Sequence, residues 1–214
     1  EFPYGFDGYS FQGQKDSSNQ YPSDRLHSFV ISDFITPSRF PKEFQSFYSN
    51  SWKSLQLKIR QLELEIIELL DIPGLKAFYE KNIGHMISCN YYPQISETIL
   101  PNDQNNRLST HIDVSLFTVF PFGFDQDFYF EDAHGSWVNI PATQDIIVFP
   151  GYLLEVITDG AIKALNHKVK LPEHENRERF SFAYFSLPYP QKKFVIKGQE
   201  WSSESYFKKY LDLF

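Results

Sequence analysis

Three residues carry the clearest chemical potential in the chain. His111 and Asp113 stand in Arg107-Leu-Ser-Thr-His111-Ile-Asp113, and His167 follows 54 residues beyond Asp113, in Asn166-His167-Lys168-Val169. On a strand, residues two apart share a face, so His111 and Asp113 can offer a ring nitrogen and a carboxylate oxygen to one point. A lone His-x-Asp is common on solvated strands, so a third ligand is required, and His167 is the candidate. Two histidines and one carboxylate on one face of an octahedral metal leave three positions open. That suits non-haem Fe(II), which can then hold a bidentate cosubstrate and dioxygen together.

Further motifs accompany this trio. Arg179-Phe180-Ser181 begins twelve residues after His167, and Asn90-Tyr91-Tyr92-Pro93 lies upstream of His111. Trp137-Val138, Gly151-Tyr152-Leu153-Leu154-Glu155, Thr158-Asp159-Gly160 and the tail Tyr206-Phe207-Lys208-Lys209-Tyr210-Leu211 come in a fixed order with them. Together they resemble the Fe(II)/2-oxoglutarate-dependent dioxygenases, in the branch containing isopenicillin N synthase and the plant flavonoid and gibberellin oxygenases. The resemblance spans roughly residues 40–214.

That resemblance implies iron held by His111, Asp113 and His167. It implies a bidentate contact from Arg179 to the distal carboxylate of 2-oxoglutarate, with a Ser181 hydroxyl beside it. Tyr92 and Asn90 would complete the cosubstrate pocket. Phe185 would contact substrate, and Met86 and Ser88, which share strand parity with Asn90 and Tyr92, would line the cavity. The implied reaction consumes 2-oxoglutarate and dioxygen, releases succinate and CO2, and oxidises a C–H bond of a small molecule, as in natural-product biosynthesis. Asp113 fills the position a halide would take, which argues against halogenation. Where the plant branch carries Gly-Leu-Gln-Val after His-x-Asp, this chain has Gln126-Asp127-Phe128-Tyr129-Phe130.

The elements that must position these residues read as mainly β with flanking helices. Phe44, Phe47, Tyr48, Trp52, Leu55, Ile59, Leu62, Ile66 and Leu69 recur at three or four, which predicts one long amphipathic helix from Pro41 until Ile72-Pro73-Gly74 stops it. A shorter helix is expected at about 74–81. Beyond Asn82 the pattern becomes strand and turn, with candidates at 86–92, 109–120, 127–130, 137–140, 145–149, 153–158, 167–171 and 179–185. Many short strands at this spacing predict a double-stranded β-helix, the jelly roll, braced by the long helix. A helical tail is expected over 202–213, and residues 1–40 read as an arm of extended chain or short strands. The expectation is a single oxygenase domain over 1–214: arm 1–40, helical brace 41–81, jelly-roll core 82–200 and C-terminal helix 201–214. The start, Glu1-Phe2-Pro3-Tyr4, has neither an initiator Met nor a signal-peptide pattern, and a natural N-terminal segment is expected to be missing.

The 214 residues are 42% hydrophobic and 18% aromatic, ample for a folded core with an aromatic-lined cavity. A formal net charge of −7 without a dense Lys/Arg stripe argues against nucleic acid or an anionic membrane surface as partner. No apolar run approaches the roughly 20 residues that span a bilayer. One cysteine, Cys89, excludes an internal disulfide and fits a cytoplasmic setting. Oligomeric state is not legible.

Other titratable residues receive ordinary readings. His27, His85, His134 and His174 have no partner at ligand spacing and read as loop or surface residues, and Cys89 as a packing residue. Arg177 rivals Arg179 by parity but lacks the following x-Ser. Two competing functions stay open: an oxidase like isopenicillin N synthase that uses no 2-oxoglutarate, and a non-catalytic metal- or ligand-binding jelly roll.

Overall fold

The computed structural model describes residues 7–11, 24–35, 42–94, 106–172 and 177–213. The chain forms two compact units, one of residues 1–31 and 87–185 and the other of 32–86 and 186–214.

The first unit holds most of two antiparallel sheets, with the ends of β2, β3 and β10 counted in the second unit. One contains β1 (Gly8–Ser10), β2 (His27–Ser32), β3 (Ile83–Tyr92), β5 (Phe117–Phe120), β8 (Ile147–Pro150) and β10 (Arg179–Pro188), in the order β1-β2-β3-β10-β5-β8. The other contains β4 (Asn106–His111), β6 (Phe128–Glu131), β7 (Trp137–Ile140) and β9 (His167–Lys170), in the order β4-β9-β6-β7. From β3 to β10 the chain alternates between the sheets, apart from the β6–β7 hairpin, and this path winds the double-stranded β-helix. Phe120, Phe149 and Ala183 from one sheet meet Phe128 and Val169 from the other, with Phe124, in the core between them. Burying these rings removes large apolar area from water, at about 25 cal/mol per Å².

The second unit carries the helices. α1 (Lys42–Ser46) runs through a π-helical turn at Phe47–Trp52 into α2 (Lys53–Leu70). The buried line is Tyr48, Trp52, Ile59, Glu63 and Ile67. Tyr48, Trp52 and Ile59 are on the stripe that sequence spacing pointed to; beyond Ile59 that spacing pointed to Leu62, Ile66 and Leu69, of which the first two are half-buried and Leu69 is exposed. Asp71 takes the left-handed conformation at the helix end, two residues before Pro73. α3 (Leu75–Asn82) packs on α2, the hairpin of β11 (Lys193–Ile196) and β12 (Gln199–Ser202) follows, and a Ser202/Ser205 capping box starts α5 (Ser203–Leu211).

The expected strand at 153–158 is instead helical, as α4 (Tyr152–Thr158). Its β-branched Val156, Ile157 and Thr158 mislead, because tertiary burial of Tyr152, Leu153 and Leu154 overrides propensity. The expected strand at 109–120 breaks after His111, and the chain turns before β5 begins at Phe117. His27 lies on β2, not in a loop, and its Nδ1 shares a 2.6 Å hydrogen bond with the Tyr9 hydroxyl.

His85 corrects its surface reading most strongly. It is 1% exposed on β3, and its Nε2 lies 3.0 Å from Glu63 Oε2 and 3.1 Å from the Tyr79 hydroxyl. Tyr79 donates to the same Glu63 oxygen over 2.5 Å. The backbone N–H of His85 donates to Asp33 Oδ1, and Gln56 donates to Asp33 Oδ2. His134 does lie exposed, in a turn closed by Asp132; His174 falls outside the described residues.

Candidate active site

β4 and β9 lie side by side, with His111 paired to His167 across the ladder. Their rings stand 4.3 Å apart between centroids. Asp113 is not on the strand with His111, so strand parity is not what brings them together. It lies two residues past the end of β4, in a turn pinned by its own carbonyl, which accepts the Tyr152 N–H over 2.7 Å. Gly151 makes that close approach of chains feasible: a Cβ there would stand 2.3 Å from the Ser115 carbonyl oxygen and 2.9 Å from that of Asp113.

The result is a cluster in which one ligand atom from each of His111, Asp113 and His167 lies within 4.8 Å of the others. His111 Nε2 is 3.4 Å from Asp113 Oδ1, and His167 Nε2 is 3.9 Å from Asp113 Oδ2. Both Nδ1 atoms face carbonyl oxygens, those of Ser109 at 2.7 Å and Leu165 at 3.0 Å. A carbonyl only accepts, so each Nδ1 carries the proton and each Nε2 presents its lone pair to the centre. The donor set therefore fits a divalent metal of the Fe(II) kind.

The two imidazoles differ in their electrostatics. Burial drives the His167 pKa down to about 4, with the His111 charge adding to the effect, so this ring stays neutral. At His111 burial also opposes charge, but Asp113 outweighs it and the pKa rises. Burial opposes ionisation of Asp113, yet His167, His111 and Thr118 together hold its pKa below the ordinary value. Phe128 stacks on His167 at 5.3 Å and Phe149 meets it edge-on at 5.1 Å, so one flank of the site is apolar.

Arg179 is 3% exposed on β10, and none of its three guanidinium nitrogens has a hydrogen-bond partner among the described residues. A buried guanidinium with its donors unused is costly unless an anion completes it. Its carbon stands 5.0 Å from the Tyr92 ring. Burial raises the buried Tyr92 hydroxyl above its ordinary value, while the Arg179 charge and the Ser181 hydroxyl pull the other way. Ser181 is buried, and strand alternation puts it on the Arg179 side, whereas Phe180 and Phe182 are exposed. Arg177 instead pairs with Asp125 at the surface over 2.9 Å.

The remaining sequence candidates are placed less directly. Asn90 Oδ1 accepts the Ser88 hydroxyl over 2.7 Å, so the two hold each other. Phe185 is half-buried against the core cluster that also contains Phe128 and Phe149. Met86 is buried on the part of β3 that belongs to the second unit.

Sequence reasoning missed several supporting residues. Thr118, on β5, donates to Asp113 Oδ2 over 2.6 Å. Asp24 Oδ1 accepts from both the backbone and the hydroxyl of Ser109, whose carbonyl holds His111. Neither has a local sequence signal, since both act between segments that no periodicity links.

The model of the 2OG-Fe(II) oxygenase superfamily matches residues 83–188, the segment that carries the metal-type trio and Arg179. The chain belongs to the 2OG-Fe(II) oxygenase superfamily. Among relatives of this superfamily member is deacetoxycephalosporin C synthase of Amycolatopsis lactamdurans, 26% identical over 79% of this chain and 56% of that protein. Gibberellin 2-beta-dioxygenase 3 of Arabidopsis thaliana is 25% identical over 72% of this chain and 45% of that protein. The chain thus spans about half the length of the curated relatives it matches. Among solved structures, a full-length Neurospora crassa protein in complex with alpha-KG aligns with a TM-score of 0.76 at 17% identity, over 99% of this chain and 74% of that one. That likeness concerns the fold.

Proposed function

We propose that the protein is an Fe(II)- and 2-oxoglutarate-dependent oxygenase that oxidises a C–H bond of a small-molecule metabolite, by hydroxylation, desaturation, ring closure or demethylation. One observation carries this reading: a His111–Asp113–His167 cluster of metal-ligand geometry shares the first unit with a buried, unpartnered guanidinium at Arg179. The relatives' printed names, a cephalosporin synthase and a gibberellin dioxygenase, support a small metabolite as substrate.

His111, Asp113 and His167 would hold the metal, and Arg179 would pair with the distal carboxylate of 2-oxoglutarate, with Ser181 and Tyr92 beside it. When bound, Fe(II) with 2-oxoglutarate and dioxygen supplies oxidative C–H cleavage, with release of succinate and CO2. The chain's own residues do the positioning. The Ser109 and Leu165 carbonyls fix the two imidazoles, Thr118 fixes Asp113, and Phe128 and Phe149 exclude water beside His167. Phe185, Ser88, Asn90 and Met86 are assigned to substrate or cosubstrate contact. An oxidase that needs no 2-oxoglutarate is the less supported reading, because the matching family model is that of the 2OG-Fe(II) oxygenases; a substrate carboxylate on Arg179 would serve it equally. Among the described residues no helix is long and apolar enough to cross a membrane. The single, half-buried Cys89 supports a cytoplasmic location.

The test is anaerobic addition of Fe(II) and 2-oxoglutarate. A weak visible charge-transfer band is expected, absent in His111→Ala and His167→Ala. With a substrate in hand, succinate forms in step with product. Turnover without 2-oxoglutarate, or a wild-type protein that binds neither metal nor cosubstrate, overturns the reading.

A further inference from the structure

A second arginine is buried near Arg179, and neither the metal cluster nor the Arg-x-Ser motif accounts for it. Arg107 lies on β4, four residues before His111, and is 1% exposed. The register of β4 against β9 shows why it points inward. Asn106 pairs with Lys170 and Leu108 with Val169, so Arg107 is an extra residue with no opposite number, a β-bulge. A bulge breaks strand alternation and re-aims a side chain. Arg107 is buried, and Leu108, its neighbour, also packs against the core cluster.

From the bulge the Arg107 side chain reaches toward the start of β10. Its Nη2 donates to the carbonyl oxygen of Arg177, two residues before Arg179. Its Nε has no partner among the described residues. Burial first, and then the Arg179 charge, lower its pKa, while Asp127 and Tyr92 act in the opposite sense. Asp127 is half-buried in a left-handed conformation, φ 74°, at the head of β6, and its carbonyl accepts the N–H of Lys170, which pairs with Asn106 beside Arg107, so that the Arg107 and Arg179 charges act on it in turn. It belongs to the segment in which this chain departs from the Gly-Leu-Gln-Val pattern.

With Arg177 neutralised by its pair with Asp125, Arg107 and Arg179 leave two positive charges against the one carboxylate of Asp127. Two like charges in a medium of low dielectric repel, and the unmade hydrogen bonds of both guanidiniums add a desolvation cost. One further carboxylate would balance the cluster in charge and supply the missing acceptors.

We propose that Arg107 is a second binding guanidinium of the cosubstrate pocket, sharing the distal carboxylate of 2-oxoglutarate with Arg179, and that Asp127 is the internal counter-ion with which that carboxylate competes. Arg107 and Asp127 thereby set the affinity and the preference for a dicarboxylate. The inference rests on the 2-oxoglutarate reading above and assigns residues which that reading leaves idle.

Binding, measured without turnover, tests it. The protein is loaded with Mn(II) under anaerobic conditions, and dissociation constants for 2-oxoglutarate and for 2-oxovalerate, which lacks the distal carboxylate, are measured by calorimetry. Arg107→Met should weaken 2-oxoglutarate binding by about ten- to a hundredfold, the loss of a charge-assisted hydrogen bond. It should leave 2-oxovalerate and Mn(II) binding within about threefold, because the keto acid end and the metal ligands are untouched. Arg107→Lys should recover part of the loss. Asp127→Asn, at a half-buried position, should tighten 2-oxoglutarate binding, the opposite sign, and it decides the matter should the Arg107 variants not fold. Affinity for 2-oxoglutarate unchanged in folded Arg107→Met, equal losses for both keto acids, or weaker binding in Asp127→Asn overturns the proposal. A wild-type protein that binds no 2-oxoglutarate instead sinks the functional reading beneath it.

Discussion

Thr118 donates its hydroxyl to Asp113 Oδ2 over 2.6 Å, and the same hydroxyl lies 2.8 Å from that of Ser115. A carboxylate that, in the proposed site, would give one oxygen to a metal is thus held by its other oxygen, from a strand in the opposite sheet.

Thr118→Val keeps the shape and removes the donor. Metal affinity should fall by about ten- to a hundredfold, the usual effect of losing a residue that orients a ligand. Thr118→Ser should retain most of it. A Mn(II) titration followed by electron paramagnetic resonance reads both, and equal affinity in wild type and Thr118→Val would refute a positioning role.

Gly151→Ala places a methyl group against two backbone carbonyls, those of Ser115 and Asp113. Backbone cannot yield as a flexible side chain would. The expected cost is about 1–3 kcal/mol of stability, with weakened metal binding because the Asp113 turn must move. Thermal unfolding with and without Mn(II) measures the two effects. A stabilised variant would show that the turn relaxes freely.

In the helical unit, Glu63 is 0% exposed and receives Tyr79 and His85 at one oxygen, while Oε1 has no partner among the described residues. Burial, and then the Glu63 charge, push the Tyr79 hydroxyl above its ordinary range, so it remains a donor. Tyr79→Phe should cost about 1–3 kcal/mol and His85→Ala a similar amount. Removal of Glu63 as Glu63→Ala should cost about 3–5 kcal/mol. In urea denaturation the double variant Glu63→Ala/Tyr79→Phe should lose less than the sum. Strict additivity would mean that the three do not act as one network.

Cys89 has its thiol pushed up to about 11 from 9.0 by burial. Its thiolate fraction at pH 8 is then about a hundredfold below that of an ordinary thiol, and reaction with a disulfide reagent should be slowed to match. The native rate should rise about tenfold per pH unit up to that value. Unfolding in urea should abolish the difference; equal native and unfolded rates at pH 8 would contradict the burial.

Much of the architecture was legible because it rests on local pattern. Short β-branched and aromatic runs bounded by turn residues mark Trp137–Ile140 and Arg179–Pro188 as strands, and the 3.6-residue recurrence marks the long helix. Where local pattern and tertiary burial disagree, burial wins. Residues 153–158 carry strand-like side chains yet form α4, and beyond Ile59 the buried stripe of α2 runs through Glu63 and Ile67 rather than Leu62 and Ile66. His85 read as a surface residue because its partners lie 22 and 6 residues away, on separate helices.

At the site, the sequence by itself determined the chemical types and their order: two imidazoles, a carboxylate, then a guanidinium and a hydroxyl two apart. Those follow from residue identity and spacing along the chain. The tertiary structure alone decided how they meet. Pairing of β4 with β9 sets His111 beside His167, a turn pinned at Tyr152 and fitted by Gly151 swings Asp113 to them, and a bulge turns Arg107 inward near Arg179. The physical reason is that a bulge, a close backbone approach and a buried like-charge pair are each relationships between segments distant in sequence, which no local periodicity encodes.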